Sequence, residues 1–239
     1  MNIFRNRKLI VGLWLLTICA VVVVLVYPIN NGLMRLAAIG AFAGVLAGPL
    51  ILWWKSRPVR VVVVCAVLIP LLLLALPGRS FSRPALRLDS VASVESFEGT
   101  EFVWGGEGRM GVDCSGLVRQ GFIRANFKQG IPSLNGALLR RAVSLWWFDS
   151  SAKALRAGYR GETERMLEAP SVNAVPTDRI LPGDFAVTSD GIHVMVYVGG
   201  NRWTEADPAI GRVVTIETPS DNPFFNKPVD VVRWKSLRP

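Results

Sequence analysis

The chain has 239 residues, of which 51% are hydrophobic and 19% are charged, and its mean hydropathy is +0.36. This composition excludes a disordered chain and disfavours a purely soluble protein. The chain has a net charge of +9, and a charge of this size commonly indicates a protein that binds nucleic acid. Here, however, residues 1–78 hold seven basic residues and no acid, whereas residues 79–239 hold the other 20 Lys and Arg against all 18 acids. The larger part is nearly neutral, so we expect no nucleic-acid partner.

Three long apolar runs occupy the first third of the chain. They predict membrane-spanning helices at about 9–28, 36–54 and 61–77, within a membrane domain of residues 1–78, because a span needs about 20 apolar residues. The first run is longer than the core of a signal peptide, and no small-x-small cleavage site follows it. We therefore expect it to be retained, with the lipid bilayer as a partner.

The Lys and Arg residues beside these runs predict their orientation, because basic flanks remain in the cytoplasm. Two flanks are rich in them: Arg5, Arg7 and Lys8 before the first run, and Lys55, Arg57 and Arg60 between the second and third. The connection between the first and second runs contains only Arg35. The sequence thus predicts a cytoplasmic N-terminus and a C-terminal domain on the opposite side of the membrane.

A ridge of small residues lies on the second predicted span. Gly40, Gly44 and Gly48 recur at four-residue spacing, which allows another helix to approach closely. The partner is either a second copy of the chain, giving a homodimer, or another helix of the same bundle. The second interpretation is favoured.

Residues 79–90 are polar and predict an irregular linker, which leaves 91–239 as a domain with its own core. This domain contains one cysteine, Cys114, and the only histidine of the chain, His193. One thiol and one imidazole in the same domain suggest a nucleophile and its base. They are too few to form a zinc site, so we expect neither a metal nor another cofactor.

The residues around the cysteine strengthen this interpretation. A glycine-rich stretch leads to Asp113, which is a plausible N-cap, and a helical pattern follows it. Cys114 would then lie in the first helical turn, where the helix dipole favours a thiolate. The backbone N–H groups of Cys114 and Ser115 could hold an oxyanion there.

The residues around the histidine predict a hairpin. His193 begins an alternating strand, Gly199-Gly200-Asn201 forms the turn, and a return strand follows. A three-residue turn would pair Val198 with Arg202, which places Asp207 opposite His193 and Glu205 diagonally beside it. Either acid could orient the imidazole.

These motifs together resemble the NlpC-type cell-wall peptidases: Asp113-Cys114-Ser115-Gly116 after a Trp-Gly-Gly, Pro182-Gly183-Asp184, and His193-Val at a strand start. The resemblance implies a papain-like domain with helices packed on an antiparallel sheet. With the three predicted N-terminal transmembrane helices before it, the expected fold class is α+β. The resemblance implies Cys114 as nucleophile, His193 as base and Glu205, rather than Asp207, as third residue.

The resemblance also implies a substrate, the peptidoglycan stem peptide, and weaker candidates for contacting it, namely Phe102, Trp104 and Asp113. Phe102 stands where the family usually has Tyr. Trp104 could stack on sugars, although buried aromatic residues are commoner. Asp113 is expected to act mainly as the helix cap.

A long segment between the two motifs, about 134–167, predicts a helical insertion. It is interpreted either as a lid or membrane-surface helix, or as a helix that covers the core, and the second is favoured.

The expected function is therefore that of a thiol peptidase cutting stem-peptide amide bonds, anchored in the bacterial cytoplasmic membrane with its catalytic domain periplasmic or extracellular. Two alternatives remain open. One is a thiol amidase or acyltransferase acting on a lipid or other non-wall substrate. The other is an inactive, partner-binding membrane protein.

Overall fold

The computed structural model describes residues 3–239, with the side chains of the first helix described from Arg7 onwards. Helix α1 spans Ile3–Val26, α2 spans Gly32–Leu52 and α3 spans Arg57–Ala75. All three are long and apolar enough to cross a membrane. Helix α2 begins before its apolar run because the Asn31 side chain accepts the N–H of Met34 and caps the first turn.

The glycine ridge of α2 packs against α1. A Cβ at Gly44 would lie 2.5 Å from Thr17 Cγ2, and one at Gly48 would lie 2.1 Å from Trp14 Cδ1, whereas Gly40 has nothing within 4 Å. The two close glycines are therefore needed for packing inside one chain. Since α1 covers two of the three glycines, the packing agrees with the favoured interpretation of contact within one bundle, and the homodimer stays a prediction.

Residues 79–90 do not form an irregular linker. Helix α4, Arg83–Glu95, begins there, and the Ser82 hydroxyl caps it by accepting the N–H of Ala85. Leu86 and Val94 of this helix are fully buried in the core of the C-terminal domain. The apolar residues of α4 are diluted by Arg and Ser, which is why the segment resembles a polar linker in sequence.

An ion pair inside the domain helps to hold α4. Asp184 of the Pro-Gly-Asp motif is fully buried. Arg87 of α4 donates to Asp184 Oδ1 at 3.1 Å, and Arg233 donates to the same oxygen at 2.8 Å. Since a buried carboxylate needs charged or hydrogen-bonding partners, this aspartate has a structural role.

The C-terminal domain is α+β. Two short strands, β1 (Glu107–Gly108) and β2 (Gly111–Val112), precede helix α5 (Cys114–Gly130), which packs beside α4 and α6 (Gly136–Trp147). These helices cover a six-stranded antiparallel sheet of order β3-β8-β4-β5-β6-β7. Its strands are β3 (Thr163–Ala169), β4 (Phe185–Thr188), β5 (Val194–Gly199), β6 (Arg202–Asp207), β7 (Arg212–Glu217) and β8 (Val229–Trp234).

The predicted helical insertion, 134–167, is helical only in part. Helix α6 and the short helix α7 (Ala152–Arg156) lie within it, but β3 begins at Thr163 and pairs with β8 at the sheet edge. The β3 sequence is rich in helix formers, and its pairing with β8 overrides that preference. Four apolar residues of α6 are buried, which agrees with a helix that covers the core: Leu138, Leu139, Ala142 and Leu145.

The hairpin of β5 and β6 has the expected register over most of its length. Val196 pairs with Thr204 and Tyr197 with Trp203. The register shifts at the turn, where Gly199, not Val198, pairs with Arg202. Gly199 has φ 97°, which a glycine adopts without strain.

Candidate active site

The cysteine lies at the start of α5. Asp113 is the N-cap, with Oδ1 accepting the N–H of Gly116 at 2.6 Å. Its Oδ2 accepts the N–H of Gly105 at 2.8 Å and thereby holds the glycine-rich loop against the helix. Asp113 thus acts as the predicted cap. The N–H groups of Cys114 and Ser115 belong to the first turn, where no helical carbonyl is available to accept them.

The thiol of Cys114 is buried in the core and lies beside the histidine segment. Its Sγ is 3.9 Å from the carbonyl oxygen of Ile192, the residue before His193. Burial raises the pKa of Cys114 to about 12, and the charge of Asp113 adds to that rise. The opposing contributions come from the backbone N–H groups of Val194, Ser115 and Cys114. Both burial and the charge of Asp113 thus favour the neutral thiol over the thiolate.

The imidazole of His193 is held from several directions. Its Nε2 lies 2.5 Å from Glu205 Oε2, and both side chains are buried. Phe224 stacks on the ring with centroids 3.9 Å apart. The backbone is fixed by Thr188, whose hydroxyl accepts the His193 N–H at 3.0 Å and whose N–H donates to the His193 carbonyl. With Nε2 engaged by the carboxylate, Nδ1 is the ring nitrogen left for a thiol.

Two buried acids lie side by side behind the histidine. The Asn222 amide nitrogen donates to Glu205 Oε1 at 3.0 Å and to Asp207 Oδ2 at 2.8 Å. Asp207 also accepts the N–H of Ala209 at a turn. Burial raises the pKa of Glu205, the hydrogen bond from His193 opposes that rise, and the charge of Asp207 adds to it. Of the two predicted third residues, Glu205 contacts the imidazole and Asp207 reaches it only through Asn222.

A cleft of about 440 Å³ opens beside the cysteine. Cys114, Ser115, Asp113 and Trp104 line it, and Trp104 is 75% exposed. The His193 ring does not line it. Gly191 and Ile192, which precede His193 in the chain, do line it, so the cleft leads to Cys114 past the histidine segment.

Phe102 does not line this cleft. It is half-buried against the domain core and pairs with Val112 through an isolated β-bridge. Its ring packs against the core in this structure, and the expectation that Phe102 contacts substrate stays a prediction.

Sequence reasoning missed several residues of the site. Asn222 and Phe224 come from the loop before β8, and Asn30 and Asn31 of the connection between α1 and α2 line the cleft. No local pattern marks them. The proximity of Asn222 to an acidic pair is created only when the sheet forms.

The model of the NlpC/P60 family matches residues 99–233, which is more than half of the chain. The chain belongs to the NlpC/P60 family. Cys114, His193 and Glu205 all lie within the matched NlpC/P60 range. No match to a curated protein was found at a significant level.

Solved structures similar to the chain include NlpC/P60 proteins. NlpC1 from Trichomonas vaginalis is 19% identical with a TM-score of 0.41, and the match covers 62% of this chain and 43% of the NlpC1 chain. The P60 domain of an antigen from M. avium subspecies paratuberculosis is 19% identical with a TM-score of 0.38, covering 63% and 96%. The peptidoglycan hydrolase RipB from Mycobacterium tuberculosis is 20% identical with a TM-score of 0.38, covering 62% and 65%. The chain thus spans less than half the length of NlpC1.

Proposed function

We propose that this protein is a membrane-anchored cysteine peptidase that hydrolyses an amide bond in peptidoglycan stem peptides. The observation that carries the proposal is the position of the Cys114 thiol, at a helix N-terminus and beside the segment of His193, whose ring is held by the buried Glu205. Membership of the NlpC/P60 family supports the choice of substrate.

The reaction begins from the neutral thiol. His193 Nδ1 accepts the proton of Cys114 as Sγ attacks the carbonyl carbon of the scissile amide. The N–H groups of Cys114 and Ser115 are placed to donate to the developing oxyanion. Glu205 accepts from Nε2, which fixes the tautomer and stabilises the imidazolium that forms.

The attack forms a tetrahedral intermediate, which then collapses. The imidazolium gives its proton to the amine nitrogen as the carbon–nitrogen bond breaks, which leaves a thioester on Cys114. A water molecule loses a proton to His193 and attacks the thioester carbon. The products are a carboxylic acid, the leaving amine and the regenerated thiol.

The membrane placement is also part of the proposal. Residues 29–31 contact the cleft, which supports their lying on the same side of the membrane as the catalytic domain. The basic turn with Lys55 and Arg57 lies at the other end of α2 and α3. By the positive-inside rule, this turn and the N-terminus are cytoplasmic. The burial of α4 residues in the domain core supports a catalytic domain that begins near Arg83 and not at 91.

The test is muropeptide analysis with the purified full chain. Isolated peptidoglycan fragments are incubated with the wild-type protein and with Cys114→Ala in the same detergent, and the products are identified by mass spectrometry. We expect shortened stem peptides with the wild type and none with the variant. Equal products with both proteins would refute the role of Cys114. With phospholipid added to the same incubation, modified lipid in place of shortened peptide would indicate acyl transfer.

A further inference from the structure

One wall of the cleft comes from the membrane domain. Residues 29–31, which belong to the connection between α1 and α2, line the cleft together with Cys114. Main-chain contacts attach this wall to the loop before the cysteine: Ile29 forms a β-bridge with Gly106, and Glu107 donates its N–H to the Pro28 carbonyl at 3.0 Å. The wall is therefore joined by backbone contacts to the loop that Asp113 holds.

A cluster of charges, buried except for the exposed Asp149, fixes this wall. We call Arg35, Glu107, Arg119 and Asp149 the arginine clamp. Arg35 of α2 is 1% exposed, and its Nη2 lies 2.6 Å from Asp149 Oδ1 and 3.3 Å from Glu107 Oε2. Arg119 of α5 contacts the other oxygen of Glu107. Arg35 also donates to the carbonyl oxygen of Asn30, at 2.6 Å, so the clamp holds the wall directly.

A second attachment lies at the end of α3. Arg140 of α6 donates to the carbonyl oxygens of Leu74 and Leu76, at 2.6 and 2.8 Å. These carbonyls lie at the C-terminus of α3, where no further helical N–H reaches them. The catalytic domain is thus fastened to the helix ends at two separate places, so its height above them is fixed.

The cleft lies close to the plane in which the spans end. Only residues 27–31 connect α1 to α2, and the apolar window of α1 continues to Val26. Tyr27 and the cleft residue Trp104 are 45% and 75% exposed. Tyr and Trp are the residues that membrane proteins place at the bilayer interface. Both observations place the mouth of the cleft at the membrane surface.

We infer that this wall makes the enzyme selective for stem peptides carried on a membrane lipid, in preference to the same peptides free in solution. The inference rests on the proposed function. A lipid-carried peptide and the cleft are both confined to a thin layer above the bilayer, which raises their effective concentration and limits their relative orientations. A soluble peptide has neither advantage.

The experiment uses the full chain in nanodiscs and two synthetic substrates with an identical stem peptide. One peptide carries a diacyl lipid and inserts into the same nanodiscs, and the other ends in a short soluble group. We expect kcat/KM to be at least tenfold higher for the lipid-carried peptide. Arg35→Gln breaks the clamp and should bring this ratio below about threefold. The matched control Arg57→Gln removes an exposed arginine at the other end of the bundle and should keep the wild-type ratio.

Ile29→Ala provides a second variant that leaves the clamp in place, and it should also lower the ratio. Equal kcat/KM for the two substrates with the wild type would overturn the inference while leaving the proposed function intact. The inference would also be overturned if Arg35→Gln and Ile29→Ala both kept the wild-type ratio of kcat/KM between the two substrates. Hydrolysis of neither substrate by the wild type would overturn the proposed function itself, and the inference with it.

Discussion

The two sides of the site around Cys114 differ in how their residues are brought together. On the sheet side, His193 and Glu205 are 12 residues apart and belong to one hairpin. On the membrane side, Arg35 reaches Glu107 and the carbonyl of Trp147, which lie 72 and 112 residues away. In the proposed function, the first side supplies the groups for chemistry and the second shapes access to Cys114. Because separate elements build them, substitutions on one side should leave the other largely intact.

The largest effect is expected on the sheet side. In His193→Ala the thiol has no base and the leaving amine has no acid, so we expect kcat/KM for stem-peptide hydrolysis to fall by about 10³ to 10⁴-fold. Initial rates with the full chain measure this. The thermal midpoint serves as a control for folding. A variant that remains folded and retains activity within tenfold of the wild type would contradict the role of His193.

The sheet side was largely predictable from sequence for a physical reason. A single thiol, a single histidine and a helix cap at Asp113 are local features, and the hairpin turn sets the register that brings Glu205 near the ring. The sequence left Asp207 open because two acids on one strand both lie near a histidine on the next. Only the folded structure shows that Glu205 contacts the imidazole and that Asp207 is linked to it through Asn222.

The membrane side was not predictable, because nothing local marks it. Arg35 looks like a charge in a short connection between spans, yet it is buried by residues from three distant segments. The segment that forms α4 looks polar in sequence because it contains Arg87, an inward-facing charge that is paired with Asp184. Long-range ion pairs of this kind reverse the usual meaning of a charged residue in a sequence.

The second largest effect is expected at the arginine clamp. Glu107→Ala leaves Arg35 and Arg119 buried without their shared carboxylate, which should cost about 3–5 kcal/mol of unfolding free energy. Denaturation of the full chain in micelles measures the loss. Glu168→Ala is the matched control, because its partner Arg165 is largely exposed and the pair should contribute less than about 1 kcal/mol. Equal losses in the two variants would show that the clamp does not hold the two domains together.

A smaller effect with a distinct pH dependence is expected for Glu205→Gln. Burial raises the pKa of Glu205 in the folded protein, so the wild type is most stable with this group protonated and loses that stabilisation as pH rises through the folded pKa. Glutamine does not titrate. We expect the variant to be more stable than the wild type at pH 8 and to match it below pH 4, where Glu205 is protonated in both the folded and the unfolded chain.

The same variant should lose activity, since glutamine orients the imidazole but does not stabilise its charge. A loss of about tenfold is expected, smaller than that of His193→Ala. A stability difference that is the same at both pH values would contradict the titration of Glu205.

The smallest effect is expected for Asn222→Ala. Asn222 is a positioning residue that donates to both acids, and its loss removes a hydrogen bond that favours the charged form of Glu205. We expect kcat to fall by roughly fivefold at neutral pH, with KM little changed, and the acid limb of the pH–rate profile to move to higher pH. A fall in kcat with an unmoved acid limb would indicate a purely structural role.

The most direct test of the account is the thioester on Cys114. The full chain is mixed with a stem peptide, quenched in acid within one turnover, and the fragment containing Cys114 is mapped by mass spectrometry. The account predicts a mass increase equal to the acyl half of the cleaved peptide, located on Cys114 and absent from Cys114→Ala. Cleavage that continues in Cys114→Ala, with no adduct on the wild-type thiol, would contradict it.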